Sequence, residues 1–316
     1  MKCSIRSSEV KDSERICLHL PVLLDEVVEF LDPAAGDIIL DATLGGGGHT
    51  KRIAEKISPG GKIIAIEKDP ETFDKTKKEL SDLGNKIIFV NGDFRDIKEI
   101  LRERGIEKLD GALFDLGISS FQIDDGGRGF SFLRDGPLDM RFDPRQALKA
   151  RDVVNRFSPV EIEEILRQYG EERHAKLVAK KIVLSRKRKR IETTGELAAI
   201  IVDAVGGKYR GQFLHPAART FQALRIFVNS ELEAVEKAVA ETIPLLAGGA
   251  RICVISFHSL EDRIIKNIFR NDAKKNVLHI LTKKPVIPSD KEIRENSRSR
   301  SAKLRAAEKV NNHEGI

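Results

Sequence analysis

The chain has 316 residues, 41% hydrophobic and 33% charged, with 55 Lys and Arg against 49 Asp and Glu for a formal net charge of +6. That length buries a large core, as one large domain or two smaller ones, and no apolar run approaches the ~18 residues of a membrane span. Cys3, Cys17 and Cys253 have no metal-type spacing, which fits a reducing compartment and argues against a zinc site. The charged N-terminus lacks the apolar stretch of a signal peptide, so the expected location is cytoplasmic.

His19 to Leu31 has apolar residues at helical spacing, with Pro21 near its start. Ile38 to Thr50 (IILDATLGGGGHT) is the organising stretch of the chain: a short buried strand closed by Asp41, a glycine turn over Gly45 to Gly48, and a helix starting near Lys51. Glycine admits a ligand to bare backbone, and strand, glycine turn and helix start together form a nucleotide-type site in many α/β proteins. Lys62 to Ile66, Ile87 to Val90 and Gly111 to Phe114 read as three further strands, closed by Glu67, Asp93 and Asp115 and separated by charged helices. Strands alternating with helices predict a parallel, doubly wound sheet, in which all four acids share the edge where ligands bind. An acidic edge disfavours a pyrophosphate and suits a ligand carrying positive charge. S-adenosylmethionine fits, with a sulfonium, an ammonium and a ribose; the spacing from Gly47 to Glu67 suits an NAD-type ribose contact equally well.

Ser119 to Pro144 is rich in Gly, Asp and Arg. Phe121, Phe130 and Phe132 there could stack on bases and Arg128 and Arg134 could meet phosphate, or the rings could simply pack. Gln146 to Val205 reads as helices without strands, with capping boxes at Ser158 and Thr193 and a helix from Glu172 to Arg190 that ends in five basic residues. This block predicts an inserted subdomain within a chain divided as 1–134, 135–213 and 214–316. After His215-Pro216, one long core helix is expected through Phe221, Leu224, Val228, Leu232, Val235 and Val239. Beside that stripe, Arg219, Gln222, Arg225 and Asn229 form either a solvated face or part of a site. Arg251 to Ile255 is a fifth strand. It leads to Ser259 as a helix N-cap and to His258, a site candidate because it falls on the same sheet edge. Val277 to Leu281 is a possible sixth strand, and Asn296 to Lys309 is either a last strand with its lead-in or a basic tail.

The ordered set HLPVLLDEVV, DATLGGGGHT, DLGISS, RGFSFLRDGPLDMR, YGEER, HPAARTFQALRIFVNSEL, SFHSLEDR and SRSRSAKLR closely resembles the RsmH (MraW) family of 16S ribosomal RNA cytosine-N4 methyltransferases, over about His19 to Lys309. The resemblance implies a class I S-adenosylmethionine-dependent methyltransferase fold, Rossmann-like, with a helical insertion for substrate recognition. It implies methyl transfer to the exocyclic N4 of a cytidine in the decoding region. Its cofactor contacts fall on Gly47, Gly48, His49, Glu67, Phe94, Asp115 and Gln122, with S-adenosyl-L-methionine as cofactor and no metal. The implied partner is 16S rRNA within the small ribosomal subunit, without a membrane; a homodimer is left open. Two departures stand out: DLGI occupies the place of the NPPY-type tetrapeptide of many amino-methylating enzymes, and NSRSRS replaces the usual NPRSRS. Cytosine N4 is a weak nucleophile because its lone pair is delocalised, so an acceptor near its N–H would assist; Asp115, expected as the catalytic residue, and the backbone carbonyls after it are the candidates. An NAD-dependent oxidoreductase and a non-catalytic ribosome-assembly factor are the alternatives.

Overall fold

The computed structural model describes residues 21–209 and 214–311. The readings that involve Cys3, Cys17, His19 and Phe213 lie outside the described residues. Seven strands form one sheet: β1 (Ile38–Asp41), β2 (Lys62–Glu67), β3 (Ile87–Asn91), β4 (Leu109–Asp115), β5 (Leu246–Ser256), β6 (Leu278–Ile280) and β7 (Lys303–Lys309), in the order β3-β2-β1-β4-β5-β7-β6. The helices are α1 (Leu24–Leu31), α2 (Gly48–Lys56), α3 (Pro70–Glu79), α4 (Ile97–Glu103), α5 (Ser120–Asp124), α6 (Ala150–Arg156), α7 (Pro159–Gly170), α8 (Ala175–Arg186), α9 (Thr194–Val205), α10 (Ala218–Asn229), α11 (Glu231–Thr242), α12 (Ser259–Lys274) and α13 (Asp290–Glu295). No helix among the described residues is long and apolar enough to cross a membrane.

The central strands are continuous apolar runs because both of their faces are covered. Leu40, Ile64, Ala112 and Phe114 face one side, where α4, α11 and α12 pack; Ile39, Ile63 and Leu113 face the other, against α1 and α2. The period of two along each strand thus sorts its residues into two cores. Strands β1 to β5 pair in parallel, with Leu40 opposite Ile64 and Ala112, and Ala112 opposite Ile252. The sheet is mixed rather than parallel throughout: β7 runs antiparallel between β5 and β6, setting Ala306 opposite Cys253. The last segment is therefore a strand, and one of its basic residues, Arg305, is buried against Asp262 (Nε–Oδ1 2.6 Å).

A third core lies among α6 to α10, where Val153, Ile162, Val178, Leu197 and Leu224 meet Leu138 and Met140. Both expected capping boxes form, Ser158 Oγ accepting from Glu161 N (3.3 Å) and Thr193 Oγ1 from Glu196 N (3.2 Å). Two expectations change. Helix α8 stops at Arg186, so Lys187 to Arg190 lie past its end. The long core helix is two helices, because Ser230 takes a left-handed conformation (φ 50°, ψ 46°) between α10 and α11. Phe221, Leu224 and Val228 accordingly join the helical core, whereas Val235 and Val239 pack on the sheet. A side chain holds the break: Asn229 accepts from Phe142 N (2.8 Å) and donates to Met140 O (2.8 Å).

The 119–144 segment is anchored inward. Arg128 pairs with Asp69 (2.7 Å) and donates to the carbonyls of Arg141 and Phe142, so it is structural rather than a phosphate contact. Phe130 is buried and Phe132 stacks on His215 (ring centroids 4.7 Å apart), which leaves neither ring for a base. Phe121 lies beneath the Lys75 ammonium, 3.5 Å from its centroid, and Arg134 pairs with Asp124 (3.7 Å).

Candidate functional site

Strand order reverses between β1 and β4, and the loops leaving their C-terminal ends diverge there, opening a crevice. A cavity of about 390 Å³ occupies it. Gly47, Gly48, His49, Glu67, Phe94, Asp115 and Gln122, the seven residues singled out from sequence, all line this one cavity.

The glycine turn forms one wall and is tied to the sheet from behind. Leu44 N donates to Ile66 O (2.8 Å), Gly45 N to Glu67 Oε2 (3.0 Å), and Thr76 Oγ1 to Gly45 O (2.6 Å). Gly47 has φ 72° as the N-cap of α2, and a Cβ there would lie 2.7 Å from Leu80 Cδ1 and 2.8 Å from Thr76 Cγ2. Its lack of a side chain is thus demanded first by α3 packing behind the turn, not by the cavity in front. A Cβ on Gly48 would press on Pro21, 3.0 Å away.

His49 is buried on the first turn of α2. Its Nε2 sits 3.0 Å from Val22 O, and a carbonyl only accepts, so Nε2 carries the hydrogen. Its Nδ1 then faces Asp115 Oδ2 at 3.6 Å. Asp115 ends β4 with Oδ1 buried and without a hydrogen-bond partner in the protein. Burial, together with the nearby Asp41 and Glu261 carboxylates, raises its pKa to about 8. Glu67 ends β2 and accepts from Asp69 N (2.9 Å) as well as Gly45 N; burial outweighs those bonds and raises its pKa to about 7. An orphaned acceptor beside a second buried carboxylate is costly unless a cation or a set of donors arrives. Phe94 follows β3 edge-on to Phe114 (6.2 Å), which leaves it a wall for a flat ring. Gln122 is occupied within the protein: its side-chain oxygen accepts from Ser119 N (3.1 Å) and its amide donates to Asp69 (3.0 Å).

The four strand-end acids divide into different jobs. Asp41 does not line the cavity; it is buried beneath the turn, accepting from Thr43 N (3.1 Å) and Thr50 Oγ1 (2.5 Å), and burial raises its pKa to about 6. Asp93 caps the following turn and pairs with Lys68 (2.9 Å) and Arg95 (2.7 Å); burial works to raise its pKa, but these two cations bring it below the usual carboxylate value.

The opposite wall was not legible as one. Arg225 and Asn229 of the polar stripe line it together with Glu231 of α11, while Arg219 and Gln222 of that stripe donate instead to the carbonyls of Glu171 and Tyr169. Arg225 grips both oxygens of Glu231 (2.9 and 2.8 Å). Glu231, His258 and Glu261 come together, their donor atoms all within 4.8 Å of one another. His258 is the N-cap of α12, a role expected of Ser259: its Nδ1 accepts from Glu261 N (3.3 Å), and Glu261 answers at Phe257 N (2.8 Å). Arg225 already holds both Glu231 oxygens, while the buried His258 Nε2 lies 3.2 Å from Glu261 Oε1 without a hydrogen bond. Asn296, Arg298 and Ser301, just before β7, complete the rim, and Arg298 pairs with Asp124 (2.8 Å).

Residues 16–310 match the model of the MraW methylase family. The chain belongs to that family. It is 48% identical over 307 residues to the ribosomal RNA small subunit methyltransferase H of Caldicellulosiruptor bescii, covering 92% of this chain and 99% of the relative. The protein of the same name from Clostridioides difficile is 44% identical over 307 residues, 92% of this chain and 99% of its own. A solved rRNA methylase from Streptococcus thermophilus aligns over 91% of this chain and 93% of its own at a TM-score of 0.43 and 14% identity, too distant to bear on the site. Membership makes the fold that of the S-adenosylmethionine-dependent methyltransferases, with a helical insertion, and makes S-adenosylmethionine the cofactor of the family. The cavity suits it. The bare glycine turn, the Glu67 carboxylate and the orphaned Asp115 Oδ1 match in kind a methionine end, a ribose and a positively charged centre.

Proposed function

We propose that this chain methylates the exocyclic N4 of a cytidine in the decoding region of 16S rRNA, within the small ribosomal subunit and in the cytoplasm. The observation that carries the reading is the convergence of all seven expected residues on one cavity, in a chain of the MraW methylase family. When bound, S-adenosylmethionine supplies an activated methyl group. The protein's task is then positioning, with reacting atoms held ~3–3.5 Å apart. Glu67 accepts the ribose hydroxyls on lone pairs its backbone bonds leave open, and Phe94 flanks the adenine. Gly47 and Gly48 admit the methionine end, while His49 fixes the turn against Val22 and faces Asp115. Gln122 acts indirectly, locking α5 to Asp69 at the cavity edge. Asp115 Oδ1 is the acceptor that takes up positive charge developing on the amine. The target base must leave its stack to reach this depth.

The helical core, expected at 135–213 and sharing its apolar residues with α10, receives the RNA. Purified protein incubated with small subunits and labelled S-adenosylmethionine should place the label on N4 of one 16S cytidine. Label on another atom, or none with any small-subunit preparation, would overturn the assignment.

A further inference from the structure

Several cations of the basic segments that stood out in the sequence are paired within the protein, Lys189 and Arg190 at its surface. Arg186 donates to Val154 O (2.8 Å), Lys189 pairs with Glu196 (2.5 Å) and Arg190 with Glu192 (2.9 Å). Near the C-terminus, Arg298 pairs with Asp124 (2.8 Å), while Arg305 (2.6 Å) and Lys303 (3.8 Å) share Asp262. A line of cations that shares only Lys187 with those segments is left facing solvent. Lys176 and Lys180 are exposed one turn apart on α8, Lys187 follows as its C-cap with helical backbone angles (φ −66°, ψ −24°) and so stays on the same side, and Arg173 lies just before the helix. Among the described residues no carboxylate lies within ion-pair distance of Lys176, Lys180 or Lys187. The acid on the neighbouring α9, Asp203, is taken by Lys181 instead. Leu177 and Leu184 border this line on the adjacent face of the helix and stay exposed.

We propose that this face of α8 is a track for the RNA phosphate backbone, leading substrate toward the cavity. The inference rests on the RNA methyltransferase reading above and deepens it. A stripe of ammonium groups over the roughly 18 Å of a twelve-residue helix carries an uncompensated field that a polyanion neutralises with release of counterions. The exposed leucines give sugar edges an apolar surface beside those charges. The N-terminal end of the stripe is tied to the cavity rim. Glu171, two residues before Arg173, accepts from Ser259 (2.7 Å) and Arg263 (3.0 Å) at the start of α12, next to the cavity-lining Phe257. The track therefore begins beside the site and runs away from it along the helical core. An RNA strand fits this layout better than an acidic protein, because the reaction itself requires a polyanion to be held while one of its bases is presented.

The test uses the full chain with Lys176→Gln, Lys180→Gln and Lys187→Gln combined. One comparison variant removes paired cations (Lys189→Ala with Arg190→Ala), and another removes cations of α12 (Lys266→Gln with Arg270→Gln). Binding to a 16S rRNA fragment is titrated against salt, cofactor affinity is measured by calorimetry, and methylation of small subunits is followed in the same preparations. The α8 variant should lose about 2 units of log–log salt slope, at ~0.7 per single-strand phosphate contact. Its KM for small subunits should rise, with cofactor affinity and kcat unchanged, and the paired-cation variant should match wild type. A slope equal to wild type in the α8 variant, or a slope lost only in the α12 variant, overturns the proposal. So does an unchanged RNA slope accompanied by lost binding of poly-glutamate, which would give the face to an acidic protein. Wild type that binds RNA through α8 but methylates no small subunit would instead sink the reaction assigned above and leave the track standing.

Discussion

Asp115 Oδ1 has no partner, and burial raises the pKa of its carboxyl to about 8. A cationic ligand binds the ionised form, so binding must expel the proton that Asp115 holds at neutral pH. S-adenosylmethionine affinity should therefore climb by up to about tenfold per pH unit toward pH 8 and level off above it. Asp115→Asn should bind more weakly and lose most of that slope; calorimetry from pH 6 to 9 on both proteins decides it, and equal slopes would dissociate Asp115 from the cationic centre. In the proposed site Glu67 would meet hydroxyl donors rather than a charge. Glu67→Ala should weaken S-adenosylmethionine and S-adenosylhomocysteine alike, by about 1.5–3 kcal/mol, the range for hydrogen bonds to an ionised group. A loss confined to the methylated cofactor would mean that Glu67 senses the sulfonium.

The glycine turn shows what the elements demand of single positions. At Gly47, φ is 72° and the missing Cβ would lie within 2.8 Å of Leu80 and Thr76, so the constraint comes from α3. Gly47→Ala should destabilise the fold by about 1–3 kcal/mol through backbone strain and overpacking. Adding Leu80→Ala relieves the contact but not the strain, so calorimetric melting should show partial recovery; full recovery would place the whole cost in packing. Ser230 bears a similar conformational cost between α10 and α11, with φ 50°. Ser230→Gly should stabilise by about 1 kcal/mol, read from denaturant midpoints, and a loss of stability would mean that the serine side chain contributes more than its strained backbone costs.

The strand ends and the glycine turn could be read in the sequence because their signals are local: an apolar run, an acid, then residues without side chains. The opposite wall could not. Arg225, Asn229 and Glu231 continue a helical pattern across Ser230, and no glycine marks the left-handed residue that turns them toward the cavity. Charge misled for the same reason of range. Arg305 lies in a segment that could be read as a basic tail, but its partner Asp262 lies 43 residues away in the chain.

At the scale of the whole molecule, three strand-end carboxylates, Asp41 buried and Glu67 and Asp115 half-buried at the cavity, have pKa values raised above those of an unfolded chain: Asp41 to about 6, Glu67 to about 7 and Asp115 to about 8. A raised carboxyl pKa means that the folded state holds protons which the unfolded state has released. Stability contributed by these groups is therefore present at low pH and is lost as pH rises from roughly 4 through about 8. Melting temperature should fall across that window, from this source, in protein without cofactor. Saturating S-adenosylmethionine should flatten the upper part, because it favours ionised Asp115; an identical pH profile with and without cofactor would refute the link.

The place of β7 in the sheet has a consequence for how the molecule comes to exist. Its slot is internal, between β5 and β6, yet of the seven strands it is the last to leave the ribosome. Until Lys303 to Lys309 arrive, β5 presents an open edge and β6 has no strand to pair with. Asn296, Arg298 and Ser301, which finish the cavity rim, arrive just ahead of it. A nascent chain cut short before Asn296 would thus be both sticky and unable to close its cavity. Completeness of synthesis and competence for chemistry are tested by the same strand, so a truncated copy would be marked for aggregation or proteolysis before it could sequester a substrate.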